Sequence, residues 1–198
     1  GVLGGSFDPI HVGHLHIARH ACARLDLARV VLMPAGKPPH KLGQALTDPE
    51  HRYEMARLAV AGEPCLTLSR IDLDRPGPCY SVDTVRLLQE AWGPTARIYF
   101  LIGSDSLADL PTWRQPERLL NLCQVVAVAR PGYTVDLDAL NRRFPDAPPV
   151  LLLENVPPID VSATEIRRRV AAGCSIEGMV PPPVAAYIRA HGLYRGRS

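Results

Sequence analysis

The 198-residue chain has no run of about 18 consecutive apolar residues, and no basic segment followed by an apolar one at its start. Neither a membrane span nor a signal peptide is expected, and no membrane partner. An excess of one charge is also missing: 22 Lys and Arg face 20 Asp and Glu, for a net charge of +2. That is far from the basic surplus of a protein that tracks a nucleic-acid backbone, so no nucleic-acid partner is expected. Cys22, Cys65, Cys79, Cys123 and Cys174 are odd in number, widely scattered and without a C-x-x-C pair. This pattern argues against both a disulfide framework and a zinc site, and leads us to expect five reduced thiols, no resident metal and a cytoplasmic location. Internal repeats and composition breaks are absent, and the 20 prolines sit in many short loops rather than one linker. One domain over residues 1–198 is the expectation at this length. The chain opens inside an apolar stretch, Gly1-Val2-Leu3, without a Met, so we expect a few residues of the first strand to precede this numbering.

What is present is an α/β pattern. Unbroken apolar runs at Val30–Met33, Ile98–Ile102, Val125–Ala129 and Val150–Leu153 read as strands buried on both faces. Between them, helical periodicity places helices at about Val12–Leu25, Pro49–Ala61, Ser81–Trp92, Pro116–Leu122, Thr164–Ala172 and Pro182–His191. Thr47-Asp48-Pro49-Glu50 is a cap followed by a proline at the first helical position. Such alternation predicts a Rossmann-like, doubly wound, mostly parallel sheet with helices on both faces. Ligands of such sheets gather beyond the strand C-termini, where strand order reverses.

Residues just after the strands therefore carry the chemistry. Gly4-Gly5-Ser6-Phe7-Asp8-Pro9-Ile10-His11-Val12-Gly13-His14 leads from the first strand into a helix, and its glycines leave backbone N–H groups bare where an anion can sit. His11 and His14, three apart, lie on one helix face and can reach one ligand. Gly13 between them would allow a nucleotide to approach closely. Taken alone, the two histidines could equally cap the turn or bind a metal. The spacing differs from the G-x-G-x-x-G dinucleotide fingerprint. His16 and His20 have no recognisable third metal ligand and read as solvated. Near the C-terminus, Val161-Ser162-Ala163-Thr164-Glu165-Ile166-Arg167 reads as a second helix entrance, with Ser162 and Glu165 as a capping box. Arg167 lies one turn inside, suited to an anion held on the Ser162–Thr164 amides, and Arg168 and Arg169 read as a solvated face. Two such entrances suit a polyphosphate. Asp105, in Ile102-Gly103-Ser104-Asp105-Ser106, is either a ribose acceptor or a helix cap, and Trp113 is either core or a stacking platform.

Together these stretches resemble the bacterial nicotinate-nucleotide adenylyltransferases, within the H-x-G-H nucleotidyltransferase superfamily. The likeness covers nearly the whole chain and includes GGSFDPIHVGH, PPHK at Pro38–Lys41, CYSVDT at Cys79–Thr84, IGSDSL, PTW, RPGY at Arg130–Tyr133, VSATEIR and YIRAHGLYR. The resemblance implies transfer of AMP from ATP to the phosphate of nicotinate mononucleotide, giving deamido-NAD and pyrophosphate in NAD biosynthesis. It implies His14, His11 and Arg167 as catalytic. ATP would meet Gly4, Gly5, Ser6, Phe7, His11, His14, Gly103, Asp105, Ser162, Thr164 and Arg167, with the C-terminal helical part from about residue 162 completing that site. Trp113 would stack on the pyridine ring, and loop amides near Ser81 and Arg114 would receive its carboxylate. Asp83, Thr84, His40, Lys41 and Arg130 would line the acceptor side. Mg²⁺ would be carried by the ATP phosphates. One departure is Ala35-Gly36, where some relatives carry asparagines, so side-chain amide contacts to the acceptor are absent there. Competing readings are a related adenylyltransferase that prefers nicotinamide mononucleotide or another phosphate acceptor, and a non-catalytic nucleotide-binding protein. A homo-oligomer is left open.

Overall fold

The computed structural model describes residues 1–196 apart from 42, 44 and 130–135, with His40 described in its backbone alone. Its strands are β1 (Val2–Gly5), β2 (Val30–Pro34), β3 (Leu66–Leu68), β4 (Tyr99–Gly103), β5 (Gln124–Val128) and β6 (Leu151–Leu153). All pairs are parallel, in the order β3-β2-β1-β4-β5-β6. The helices are α1 (Val12–Arg24), α2 (Pro49–Val60), α3 (Ile71–Asp74), α4 (Ser81–Trp92), α5 (Ser104–Asp109), α6 (Pro116–Leu122), α7 (Leu137–Arg143), α8 (Ala163–Ala171) and α9 (Pro182–Ala190), with 3₁₀ turns at Pro39–Lys41 and Leu110–Thr112. None of the described helices is long and apolar enough to cross a membrane.

Strand side chains alternate between two buried layers, which is why the strands read as unbroken apolar runs. Leu3, Leu32, Leu101 and Val126 pack with Leu15, Met55, Ile166, Val184 and Ile188 from α1, α2, α8 and α9. Their neighbours Val2, Val31, Phe100, Ile102 and Val125 pack with Val85, Leu88, Leu107, Leu119 and Leu140 from α4, α5, α6 and α7. Each such leucine contributes roughly 1.5–3 kcal/mol by burial.

Helix starts follow their caps. Asp48 accepts from the Glu50 amide at 2.8 Å with Pro49 at the first helical position, and Ser162 accepts from the Glu165 amide at 3.2 Å. The expected return contact from Glu165 gives way to ion pairs, because Arg168 and Arg169 hold its carboxylate at 2.7 and 2.9 Å. The sequence pattern does not reveal β3, α3, α5 or α7. Each is short, and the three helices lack the proline at the first helical position that marks the equally short α6. β6 is an edge strand: Leu151 and Leu152 are 38 % and 39 % exposed rather than buried on both faces.

The thiol expectation is corrected. Cys22, in the last turn of α1, and Cys65, just before β3, are joined as a disulfide, with Cα atoms 6.7 Å apart. Cys79 and Cys123 are buried free thiols, and Cys174 is exposed. Burial pushes the Cys123 thiol up to about 12. The bridged residues are 43 positions apart and meet because the β2–β3 pairing carries Cys65 to the end of α1, its carbonyl accepting from the Val30 amide at 2.8 Å.

Candidate active site

Strand order reverses between β1 and β4, and a cavity of about 630 Å³ opens there, above their C-terminal ends. Gly4, Gly5, Ser6 and His14 line one side, and Gly103, Ser106 and Asp109 the β4–α5 corner. Ala35, Pro38 and Pro39 line the cavity beside Asp72, Cys79, Tyr80, Ser81 and Thr84, and Thr112, Trp113 and Arg114 complete the lining.

The first helix entrance is built by the histidines themselves. His11 is the N-cap of α1, and its backbone N–H donates to His14 Nδ1 at 3.2 Å. The two rings stack with centroids 3.7 Å apart. An accepting Nδ1 leaves the neutral imidazole proton on Nε2, so His14 enters the cavity wall as an N–H donor. Phe7 is 2 % exposed, outside the lining, with its ring edge-on to that of His14 at 5.0 Å. Its φ of +46° turns the chain sharply enough to put that ring under Gly5, where a Cβ would come within 2.9 Å of it. A Cβ at Gly13 would lie 3.0 Å from His11 Nδ1, so the glycine makes room for the His11 ring. Gly4 has nothing within 4 Å of a Cβ position and faces the cavity with open space.

Around this entrance stands a cationic rim. Arg167 donates to the Asp8 carbonyl at 2.6 Å and to Thr164 Oγ1 at 3.3 Å, which joins α8 to the turn after β1. Lys41 Nζ donates to Ser6 Oγ at 3.0 Å; burial, then the charge of Arg167, holds its ammonium below the usual lysine value. Asp8 is 4 % exposed, and its carboxylate accepts from the Thr47 amide at 3.2 Å and from the Tyr194 hydroxyl at 2.6 Å. Beneath the turn, Arg52 is fully buried and donates to the carbonyls of Ser6, Ala35, Gly36 and Thr47. Ser162 and Thr164 are exposed at the start of α8, outside the cavity lining.

Trp113, half-buried, packs against the core and also lines the cavity. The Arg114 guanidinium lies 4.7 Å from the centre of the Tyr80 ring. Ser81 begins α4 and lines the cavity. Thr84 is 3 % exposed, its hydroxyl 2.7 and 2.9 Å from the two Asp72 carboxylate oxygens and 3.0 Å from the donating Arg75 Nη2. Asp83 pairs with Arg75 at 3.7 Å. The hydroxyl of Thr84 is therefore committed to the wall. Gly36 has its own constraint: a Cβ would meet the Asp72 carbonyl at 2.8 Å and that of Leu73 at 3.1 Å, so an asparagine there needs the backbone to shift.

Asp105 is half-buried in the first turn of α5, where Ser106 and Asp109 supply the lining. His16 and His20 are half-buried rather than solvated, with rings 6.2 Å apart. Arg130 lies outside the described residues, as does the His40 side chain. Among the described residues no three His, Cys, Asp or Glu side chains are grouped to hold a metal ion. Sequence reasoning missed Arg52, Asp72, Arg75, Asp109 and Tyr194; only Tyr194 lay within a motif already singled out.

The profile of the Cytidylyltransferase-like family matches residues 2–169. The chain is 48 % identical to a probable nicotinate-nucleotide adenylyltransferase of Roseiflexus sp. (strain RS-1), over 98 % of this chain and 97 % of that protein. It is 46 % identical to a protein of the same description from Thermus thermophilus, over 98 % of each. Among solved structures, the fold is similar to a Plasmodium falciparum nicotinic acid mononucleotide adenylyltransferase complexed with NaAD, with a TM-score of 0.78, 22 % identity, and coverage of 98 % of this chain and 95 % of that one. With a glycine turn and paired histidines at the strand-order reversal, and this identity over nearly its whole length, the chain belongs to the nicotinate-nucleotide adenylyltransferase family.

Proposed function

We propose that the cavity transfers the adenylyl group of ATP to the phosphate of nicotinate mononucleotide. The observation that carries this reading is one cavity lined both by the His14 helix entrance and by the Trp113–Tyr80 wall. An acceptor phosphate oxygen attacks the α-phosphorus of ATP, the bond to the bridging oxygen of the β-phosphate breaks, and pyrophosphate leaves with that electron pair. The attacking oxygen is already anionic, so neither a protein nucleophile nor a general base is required. The enzyme's task is to hold two anions in line and to stabilise spreading charge.

His14 Nε2–H meets the charge that develops at the α-phosphate, with His11 holding the His14 ring by stacking and by its amide. The amides of Gly4, Gly5, Ser6 and Phe7 serve the phosphates at the α1 entrance. Ser162, Thr164 and Arg167 receive the β- and γ-phosphates, so the part from residue 162 completes the ATP site. Gly103 and Asp105 take the adenosine. Mg²⁺ enters as part of the MgATP substrate, with phosphate oxygens as its ligands. On the acceptor side Trp113 stacks on the cationic pyridine ring, amides near Ser81 and Arg114 take the carboxylate, and Lys41 and Arg114 offset the phosphate charge. Asp83 and Thr84 shape the wall through Arg75 and Asp72. His40 and Arg130 are assigned to the acceptor on their motifs. Pyrophosphate release with ATP, Mg²⁺ and a panel of mononucleotides tests the reading. Release is expected to be fastest with nicotinate mononucleotide, and no release with any acceptor overturns it.

A further inference from the structure

Arg52 is the exception on its helix face. Its neighbours Met55, Ala56 and Ala59 enter the apolar core, yet at 0 % exposure Arg52 carries a guanidinium there. Burying that charge is unfavourable unless its donors are satisfied, and an apolar side chain of similar volume would serve the core alone at least as well. Each of its three nitrogens is bonded, and by backbone carbonyls alone. Nη1 reaches the Ser6 carbonyl at 2.7 Å and the Ala35 carbonyl at 2.8 Å, Nη2 reaches Gly36 at 3.3 Å, and Nε reaches Thr47 at 2.9 Å. Ser6 belongs to the turn after β1 and Ala35 to the corner after β2, and both line the cavity, whereas Arg52 does not.

The clamp extends beyond its own contacts. In a trans peptide the carbonyl and the following N–H point to opposite sides. The Ala35 and Gly36 carbonyls drawn toward Arg52 therefore turn the next amides the other way. The Gly36 amide donates to the Asp72 carbonyl at 3.2 Å, and the Lys37 amide to Cys79 Sγ at 3.4 Å. Asp72 and Cys79 are lining residues of the acceptor wall. One planar group thus joins the phosphate turn, the β2 corner and, through two amides, the start of the α3–α4 wall.

Resting on the adenylyltransferase reading, we infer that Arg52 is a positioning residue that fixes the separation between the ATP turn and the acceptor wall. It acts through the backbone and touches neither substrate. Binding of each substrate uses one wall, whereas in-line transfer needs both at the right separation, and a displacement of about 1 Å can cost about 100-fold in rate.

The test is Arg52→Lys, whose compact ammonium cannot span four carbonyls, assayed beside the unmodified protein for pyrophosphate release. Expected is a loss of kcat of about 100-fold with KM for ATP and for nicotinate mononucleotide each within about threefold of the unmodified protein. A thermal melt confirms that the variant is folded. Folded variant with unmodified kcat, or a loss expressed in KM alone, overturns the inference. Should Arg52→Lys not fold, Arg52→Gln is read in the same way, and failure of both to fold assigns Arg52 to stability and overturns the positioning role. No turnover by the unmodified protein removes the adenylyltransferase reading itself, and with it this inference.

Discussion

A histidine that stacks on a second histidine and accepts from its amide has lost most of its freedom before substrate arrives. His14 is in that position: its ring is fixed on one side by His11 at 3.7 Å and on another by the edge of Phe7 at 5.0 Å. Gly13 belongs to the same device, since any side chain there presses on the His11 ring. A preorganised donor costs no reorganisation during the reaction, so its removal acts on kcat. We expect His14→Ala to lower kcat by at least about 100-fold while ATP affinity changes less; steady-state kinetics on protein with unchanged circular dichroism would falsify this if kcat were retained. Trp113 acts on a different substrate. Stacking on a pyridinium ring is blind to whether the substituent is acid or amide, so discrimination must come from the donors aimed at that substituent. An amide NH₂ facing a backbone N–H leaves a donor against a donor, at about 1–3 kcal/mol. Nicotinate mononucleotide should therefore exceed nicotinamide mononucleotide in kcat/KM by at least about tenfold. Trp113→Ala should raise KM for both by a similar factor and leave KM for ATP nearly unchanged. Equal efficiency with the two acceptors refutes the donor assignment, and an unaffected variant confines Trp113 to the core.

Between elements, buried polar groups determine how helices meet the cavity. Asp72 ends up beneath the start of α4, where burial raises its carboxyl above the ordinary value while Thr84 and Arg75 pull it back. Thr84→Val keeps the shape but removes a buried donor, at about 1–3 kcal/mol of stability at neutral pH. The sign with pH follows. A carboxyl raised in the folded state weakens the fold as pH climbs through that folded value, and the variant raises it further. The difference between variant and parent should thus shrink as pH falls toward the ordinary carboxyl value. Urea unfolding at a series of pH values measures it, and a constant difference removes Asp72 as the cause. This network also shows where sequence reading stops. The entrances of α1, α2 and α8 were legible because caps and glycines are local signals within about four residues. The parallel sheet was legible because both of its faces are buried. The partner of Thr84 is 12 residues away on another helix, and Arg52 reaches 46 residues back to Ser6. Gly13 was placed correctly at the entrance, yet its reason, a ring two residues back folded over it, is a matter of side-chain direction that spacing does not encode.

At the scale of the whole molecule two long-range ties close the fold. The Cys22–Cys65 bridge spans 43 residues and encloses β2 and α2. Closing a loop of that length stabilises a chain by about 2–4 kcal/mol. We expect three titratable thiols in denatured, unreduced protein and five after reduction, with a lower melting temperature once reduced; five thiols before reduction would remove the bridge. The second tie joins the two ends of the chain. Tyr194 donates to Asp8 across 186 residues at 2.6 Å, while the carbonyl of the same Asp8 accepts from Arg167 on α8. Burial and the neighbouring Asp8 carboxylate hold the phenol in its protonated, donating form, with its titration raised well above the ordinary tyrosine value. The C-terminal segment therefore rests on the residue that also anchors the Arg167 guanidinium. In Tyr194→Phe the Asp8 carboxylate keeps the Thr47 amide but loses its shortest bond, at roughly 1–3 kcal/mol. Asp8, freed on that side, is expected to hold its carbonyl less firmly against Arg167, which loosens that guanidinium at the turn after β1. Because α8 is assigned to the β- and γ-phosphates, the effect should fall on ATP. KM for ATP is expected to rise several-fold, while KM for nicotinate mononucleotide stays within about twofold. A Tyr194→Phe variant that loses stability but keeps its KM for ATP would separate the closure of the chain from phosphate binding, and would return α8 to a packing role.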